Sequence, residues 1–220
     1  MLQQKPSYVT PQEYLDYERQ AETKSEYYNG EIYALASASP RHTVIAANII
    51  VSFGVQFKGR SCTVHTGDLR VKVSPTGLYT YPDVVVVCDK LRFDDARKDT
   101  LLNPTLIVEV LSESTEAYDR TGKFEHYRTL ESLTDYLLVS QEKAWIEHRA
   151  RQSDIKWLTG YYMGLETVVP LPSIDCELRL ADVYDKIDWP DESSARGWLQ
   201  AVKEPAPEYA TERRPPYHVN

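Results

Sequence analysis

The order of apolar and polar residues changes period several times along the chain. Thr10-Pro11-Gln12-Glu13 combines a threonine N-cap, proline at the first helical position and glutamate three residues after the cap, which predicts a short helix to about Ala21. Ser25 to Ala36 holds Asn29-Gly30 between β-forming residues, the preferred two-residue hairpin turn. Ser39-Pro40 repeats the cap-plus-proline signature. Beyond it Ile45, Ile49, Phe53 and Phe57 recur every fourth residue with Ala46 and Ile50 beside them, an amphipathic helix of about 18 residues.

The pattern then turns to strands. Cys62 to Val73 alternates loosely and Ser74-Pro75-Thr76-Gly77 supplies a turn. Asp83 to Cys88 and Leu106 to Leu111 are nearly continuous apolar runs, as in central strands covered on both faces. A helix from about Thr115 to Leu130 follows, then strands near Asp135–Ser140, Ala144–Arg149 and Ile155–Tyr162. The sequence helix, strand, strand, strand, helix, strand predicts an α/β (α+β) fold: a central mixed sheet flanked by helices, preceded by an N-terminal helix and hairpin. Residues 1–190 read as one domain. Residues 191–220 carry Pro205, Pro207, Pro215 and Pro216 and read as a short helix near Ser193–Lys203 and a mobile tail.

With 220 residues and 42% hydrophobic content, the chain supplies one sizeable core. No apolar run approaches the roughly 18–20 residues that span a bilayer. The opening MLQQKPSYVT lacks the apolar stretch of a secretory signal. Cys62, Cys88 and Cys176 are odd in number, far apart and without a CxxC pair, which predicts neither a disulfide framework nor a zinc knuckle, and hence a reduced, cytoplasmic protein. The net charge of −8 opposes nucleic-acid binding, but it is unevenly spread. Residues 41–98 hold nine Lys/Arg against five Asp/Glu, a net of +4, whereas residues 166–192 hold two against eight, a net of −6. A local basic face can engage phosphates on an acidic protein. The same count also suits charges that only solvate the surface.

Two acids stand where a core does not tolerate them. Asp83 begins a strand of Val84-Val85-Val86-Val87-Cys88, and Glu109 lies inside Leu106-Ile107-Val108-Glu109-Val110-Leu111. A buried carboxylate is paired, protonated or bound to metal. If the two strands are neighbours, one register sets the acids on one face, a hard oxygen site suited to Mg²⁺. Alternatively Asp83 caps its strand after Pro82 and Glu109 pairs with an arginine.

Ser25-Glu26-Tyr27-Tyr28-Asn29-Gly30-Glu31-Ile32-Tyr33, His42, Tyr81-Pro82-Asp83, Val108-Glu109-Val110-Leu111-Ser112 and Asp119-Arg120-Thr121-Gly122-Lys123-Phe124 follow one another in an order and spacing that resembles the Uma-two family of restriction-endonuclease type, over about residues 8–165. That family is placed in the PD-(D/E)xK nuclease superfamily. The resemblance implies a restriction-endonuclease-like core, phosphodiester hydrolysis in DNA, and Mg²⁺ (or Mn²⁺ as substitute) at Asp83, Glu109 and the main-chain carbonyl of Val110; an RNA-directed or mobile-element-associated nuclease is a further reading that shares the chemistry and differs only in substrate. By analogy with restriction-type nucleases it also implies a symmetric homodimer.

One departure matters. The superfamily motif has lysine two residues after its acid, and Leu111 stands there. Lys123, on the following helix, is the expected substitute, orienting water and stabilising phosphorane charge; Lys72 on the preceding strand is a weaker one. Lys123 also reads as an exposed cation near Glu116, Asp119 and Glu125. Two accessory candidates are His42, for phosphate contact or acid–base work, and Glu31, joining the metal from the hairpin. Their plainer readings are a packed histidine and a solvated strand acid. Gly122-Lys123 lacks the earlier glycine and following Ser/Thr of a phosphate loop, and neither GxSxG nor HExxH occurs. A rival of another class keeps the fold without catalysis, as a binding or interaction protein; Leu111 favours it.

Overall fold

In the computed structural model residues 8–189 are described, and the main folded unit ends at Ile187. The helix expected near Ser193–Lys203 and the tail to residue 220 lie outside the described residues.

The first helix, α1, spans Pro11–Glu18 and begins as its sequence dictates, with reciprocal hydrogen bonds between Thr10 and Glu13 closing a capping box. Strands β1 (Ser25–Tyr28) and β2 (Glu31–Ala34) form the hairpin. Its turn places Asn29 at φ 48° and Gly30 at φ 87°, both in the left-handed region that favours this dipeptide. Helix α2 runs Pro40–Gln56, and the Ser39 hydroxyl accepts from the His42 N–H at 3.0 Å. Its Ile45, Ile49 and Phe53 are fully buried, one apolar stripe laid on a sheet.

The stretch from Cys62 to Val73, expected as one strand, is two. Strand β3 (Thr63–Thr66) and β4 (Arg70–Val73) belong to different sheets, and the chain breaks between them at a turn containing Gly67-Asp68. Then come β5 (Leu78–Thr80), β6 (Val84–Val87), the two-residue β7 (Thr100–Leu101) and β8 (Leu106–Val110). The next helix is composite: α3 (Glu116–Tyr118), a π-helical turn over Asp119–Lys123, and α4 (Phe124–Tyr127). Strands β9 (Asp135–Val139), β10 (Trp145–Arg151) and β11 (Trp157–Met163) complete the main sheet. The hairpin β12 (Val168–Leu171) and β13 (Cys176–Arg179), unread in the sequence, and the short α5 (Leu180–Val183) pack on α2.

The main sheet has the order β11-β10-β9-β8-β6-β3 and is mixed: β8 and β9 run parallel, the other neighbours antiparallel. A second sheet, β2-β1-β5-β4-β7, packs against it. Val73 and Leu78 of the second sheet share a core with Ile107, Leu111, Tyr136 and Leu138 of the first and with Phe124 and Tyr127 of α4. The composite helix is thus held by both sheets. Arg151 of β10 donates to the carbonyls of Arg128, Leu130 and Leu133, satisfying acceptors just past the end of that helix. Asp135 of β9 accepts from or shares a proton with His148 of β10 at 2.6 Å and accepts from Thr134 and Ser173, a buried polar tie.

The thiols correct the sequence reading. Cys62 and Cys88 are joined by a disulfide, and Cys176 is free. The antiparallel register that pairs Thr63 with Val87 sets Cys62 and Cys88 opposite each other one step further out, so their separation of 26 residues carried no hint of contact. No described helix is long and apolar enough to cross a membrane.

Ile49 and Val51 provide a test of this packing. Ile49→Ala is expected to cost about 2–5 kcal/mol in urea unfolding, because its side chain is fully buried under α2. Val51→Ala, on the 64% exposed side of the same helix, is expected to stay within about 0.5 kcal/mol of the parent.

Candidate active site

The two sheets and the composite helix meet at a buried cluster of charge. Alternation along β8 turns Glu109 to the side of Ile107 and Leu111, toward the helix, and leaves it 4% exposed. The π turn brings Lys123 to it from above. The Lys123 ammonium, in a side chain that is almost wholly buried, lies 3.1 Å from Glu109 Oε1, 3.1 Å from Glu26 Oε1 and 3.4 Å from Asp119 Oδ1. Glu26 comes from β1, and Asp119 from the start of the π turn four residues before the lysine. The Tyr127 hydroxyl donates to Glu109 Oε1 at 2.8 Å, and the Thr80 hydroxyl donates to Glu26.

Asp83 stands one residue before β6. The register that pairs Val84 with Val108 brings it level with Glu109 at the end of the sheet. Its Oδ2 accepts from the Val110 N–H at 2.7 Å and lies 3.1 Å from His42 Nε2 at the start of α2. The strand of Glu109 therefore orients both acids: one as its own side chain, the other through the next amide. Val110 enters the contacts by its N–H.

The other candidates fall elsewhere. Lys72 pairs with Asp94 at 2.8 Å, in a separate contact with Tyr79 beside it. Glu31 is exposed and accepts from the Tyr33 hydroxyl at 2.6 Å; the hairpin acid that meets Lys123 is Glu26. The reading of Lys123 as an exposed cation is corrected by its burial, and Asp119 is buried with it. Arg70 and Arg19, from the basic half of the chain and its flank, are spent on Asp99.

The electrostatics follow from burial. Removal from water pushes the Glu109 carboxyl well above the usual carboxylate range; Lys123 pulls it back, while Asp119, Asp83 and Glu26 push it further up. Burial, with a smaller push from Asp83, also raises Asp119 against the pull of Lys123 and Thr115. Desolvation works against the ammonium, but Glu109, Glu26 and Asp119 outweigh it and hold Lys123 charged, its pKa well above the ordinary lysine value. Three carboxylates thus surround one committed cation, and Asp119 Oδ1 has a 3.4 Å ion contact but no hydrogen bond. Among the described residues no three His, Cys, Asp or Glu side chains close into a ready-made metal cage. What exists is a pair of acids, Asp83 and Glu109, level with each other on neighbouring strands, with Glu26 and Asp119 on the far side of Lys123. That donor set suits a hard divalent ion completed by water and substrate oxygen.

Glu26 and Asp119 were missed in the sequence, where Glu26 was one letter of a hairpin motif. Its alternation with the core-facing Tyr27 was a usable signal. Asp119 and Lys123 are spaced as a surface helical pair, and only the π turn and the sheet above them bury it.

With this geometry in hand, the sequence matches the Uma2 family, described as "Putative restriction endonuclease", over residues 11–181. It is 37% identical over 176 residues to the uncharacterized protein slr1290 of Synechocystis sp., covering 80% of this chain and 91% of that one. It is 36% identical over 156 residues to the uncharacterized protein sll1609 of the same organism, covering 71% and 88%. The fold is similar, with a TM-score of 0.64 and 19% identity, to a crystal structure of "a putative nuclease belonging to DUF820" from Anabaena variabilis, over 80% of this chain and 97% of that one.

A carboxyl raised by folding contributes stability that is present below its ordinary range and lost as pH rises through the raised value. Glu109→Gln keeps the shape and stays neutral. In EDTA, its melting temperature is therefore expected to gain on the wild type as pH rises from the ordinary carboxylate range toward neutrality. Parallel melting profiles across that range would contradict the assignment of Glu109 as the strained group.

Proposed function

The chain belongs to the Uma2 family, and from that premise we propose that it is a divalent-metal-dependent nuclease hydrolysing phosphodiester bonds in DNA. The fold is that of a nuclease-like protein. The observation that carries the reading is the position of Lys123: it reaches Glu109 from the following helix, at 3.1 Å, and so supplies the cation that Leu111 cannot.

In this reading Asp83, Glu109 and the Val110 carbonyl hold Mg²⁺, for which Mn²⁺ substitutes. A divalent ion held by these residues would supply Lewis acidity for activating water and positive charge against that gathering on the phosphorus. The chain does the rest. The Val110 N–H and His42 fix the Asp83 carboxylate, the Tyr127 hydroxyl fixes Glu109, and both sets of contacts fall on a single carboxylate oxygen. Lys123 keeps a positive charge beside the pair at neutral pH, where it orients the attacking water and stabilises the phosphorane. Glu26 and Asp119 hold that ammonium in place.

A second reading, a nuclease fold kept for binding alone, has one observation in its favour. Lys123 is already matched by Glu26, Glu109 and Asp119, as in a closed structural ion cluster.

A cleavage assay on plasmid and linear DNA separates the two. The wild type is expected to cut in Mg²⁺ or Mn²⁺ and not in EDTA. Asp83→Asn and Glu109→Gln are expected to abolish cutting, and Lys123→Met to lower turnover by about 10²–10³-fold. Lys72→Ala, whose ammonium is tied to Asp94, is expected to stay near wild type. Circular dichroism checks that each variant is folded. Undiminished turnover in folded Lys123→Met would refute its role, and no cleavage under any condition would favour the binding protein.

A further inference from the structure

The hairpin that delivers Glu26 also carries aromatic rings on the same side. Directly opposed residues in an antiparallel pair, and residues two apart on one strand, project together. The register pairs Glu26 with Tyr33 and Tyr28 with Glu31, so both tyrosines share the side that faces Lys123. Tyr28 meets His126 edge-on at 4.7 Å between ring centroids. Tyr118 stands one residue before Asp119, and its ring lies over Gly122, where a Cβ would come within 2.8 Å of it. Asp119, next to Tyr118, and Glu26, opposite Tyr33 in the hairpin, both contact Lys123, which sets Tyr118 on the hairpin's side of the cluster.

These rings serve no core. Tyr28, Tyr33 and Tyr118 are 36%, 48% and 41% exposed, whereas Tyr27, pointing the other way, stacks on Tyr14 in an apolar cluster. The exposed acids nearest them are Glu31 and Glu116, the latter paired with Arg120, while Glu26 and Asp119 lie buried against Lys123. Such a surface repels phosphates and offers π faces. A duplex presents the reverse, phosphates outward and bases already stacked. An unpaired strand can turn its bases toward these rings while its backbone keeps clear of Glu31 and Glu116.

We propose that Tyr33 and Tyr118, with Tyr28 behind them, form a stacking platform for unpaired nucleobases, so that the substrate is single-stranded or locally unpaired DNA whose backbone passes the Asp83–Glu109 pair. The proposal rests on the nuclease reading for its setting, but its binding step does not need catalysis. Tyrosine supplies a flat apolar face at small entropic cost, and base–aromatic stacking tolerates every base. The rim therefore confers a preference for strand state rather than for sequence.

The test is fluorescence anisotropy of the full chain in EDTA, where no cutting occurs, with a labelled single strand, the matching duplex, and the same single strand lacking bases. The expected order is single strand tightest, with duplex and abasic strand about ten-fold weaker or more. Tyr33→Ala and Tyr118→Ala are each expected to weaken single-strand binding by about five-fold or more, while Tyr33→Phe and Tyr118→Phe, which keep the ring, stay within about two-fold of wild type. Duplex binding equal to or tighter than single-strand binding, equal affinity for the abasic strand, or alanine variants with wild-type affinity would each overturn the platform. Failure of the nuclease reading shows separately, as binding of this kind in a protein that never cleaves. Failure of the platform alone shows as metal-dependent cutting that favours duplex.

Discussion

The burial of Lys123 among Glu26, Glu109 and Asp119 is the contact on which the rest of the arrangement turns. A charge out of water is tolerated only when its partners are close and well placed. Here the partners come from three different places: a hairpin strand of the second sheet, a central strand of the main sheet, and the helix itself. The ammonium consequently fixes how these elements meet, and the π turn is the local device that lets both Asp119 and Lys123 face inward. Replacing the cluster by apolar residues of similar size is the kind of change that commonly stabilises a protein.

Much of the architecture was legible in the chain because local chemistry and fold agree. The Thr10 capping box, the Asn29-Gly30 turn, the Ser39 cap and the four-residue recurrence from Ile45 to Phe53 each specify a structure within a few residues of sequence. The apolar runs around Asp83 and Glu109 were readable for the same reason: an acid beside four valines, or amid leucine, isoleucine and valine, is conspicuous. What escaped was set by contacts distant in sequence. The division of Cys62–Val73 between two sheets depends on a turn containing Gly67-Asp68, on β3 pairing with β6 18 to 24 residues on, and on β4 pairing with β7 30 residues on. The disulfide of Cys62 and Cys88 depends on that same pairing. The hairpin of β12 and β13 has too few residues for a period to show.

The site divides in the same way. Asp83, Glu109 and Lys123 stood out by type and position; Lys123 meets Glu109 at 3.1 Å, and Asp83 is held to the same strand through the Val110 N–H. Glu26 and Asp119 did not, because neither is unusual where it stands: one sits in a polar, tyrosine-rich hairpin, the other on a charged helical turn. Only the second sheet, folding over the composite helix, removes both from water. The outward tyrosines follow from the same folding. Alternation on β1 sends Tyr27 into the core and leaves Glu26 and Tyr28 together on the working side.

The central claim is that the opposed carboxylates of Asp83 and Glu109 form the seat of a divalent cation. The most direct measurement is anomalous diffraction from crystals of the wild type soaked in Mn²⁺, compared with crystals of Asp83→Asn. The account predicts one strong peak between Asp83 and Glu109 in the wild type and none there in the variant. A wild-type crystal with no peak at that place, or with Mn²⁺ bound only elsewhere, would contradict it.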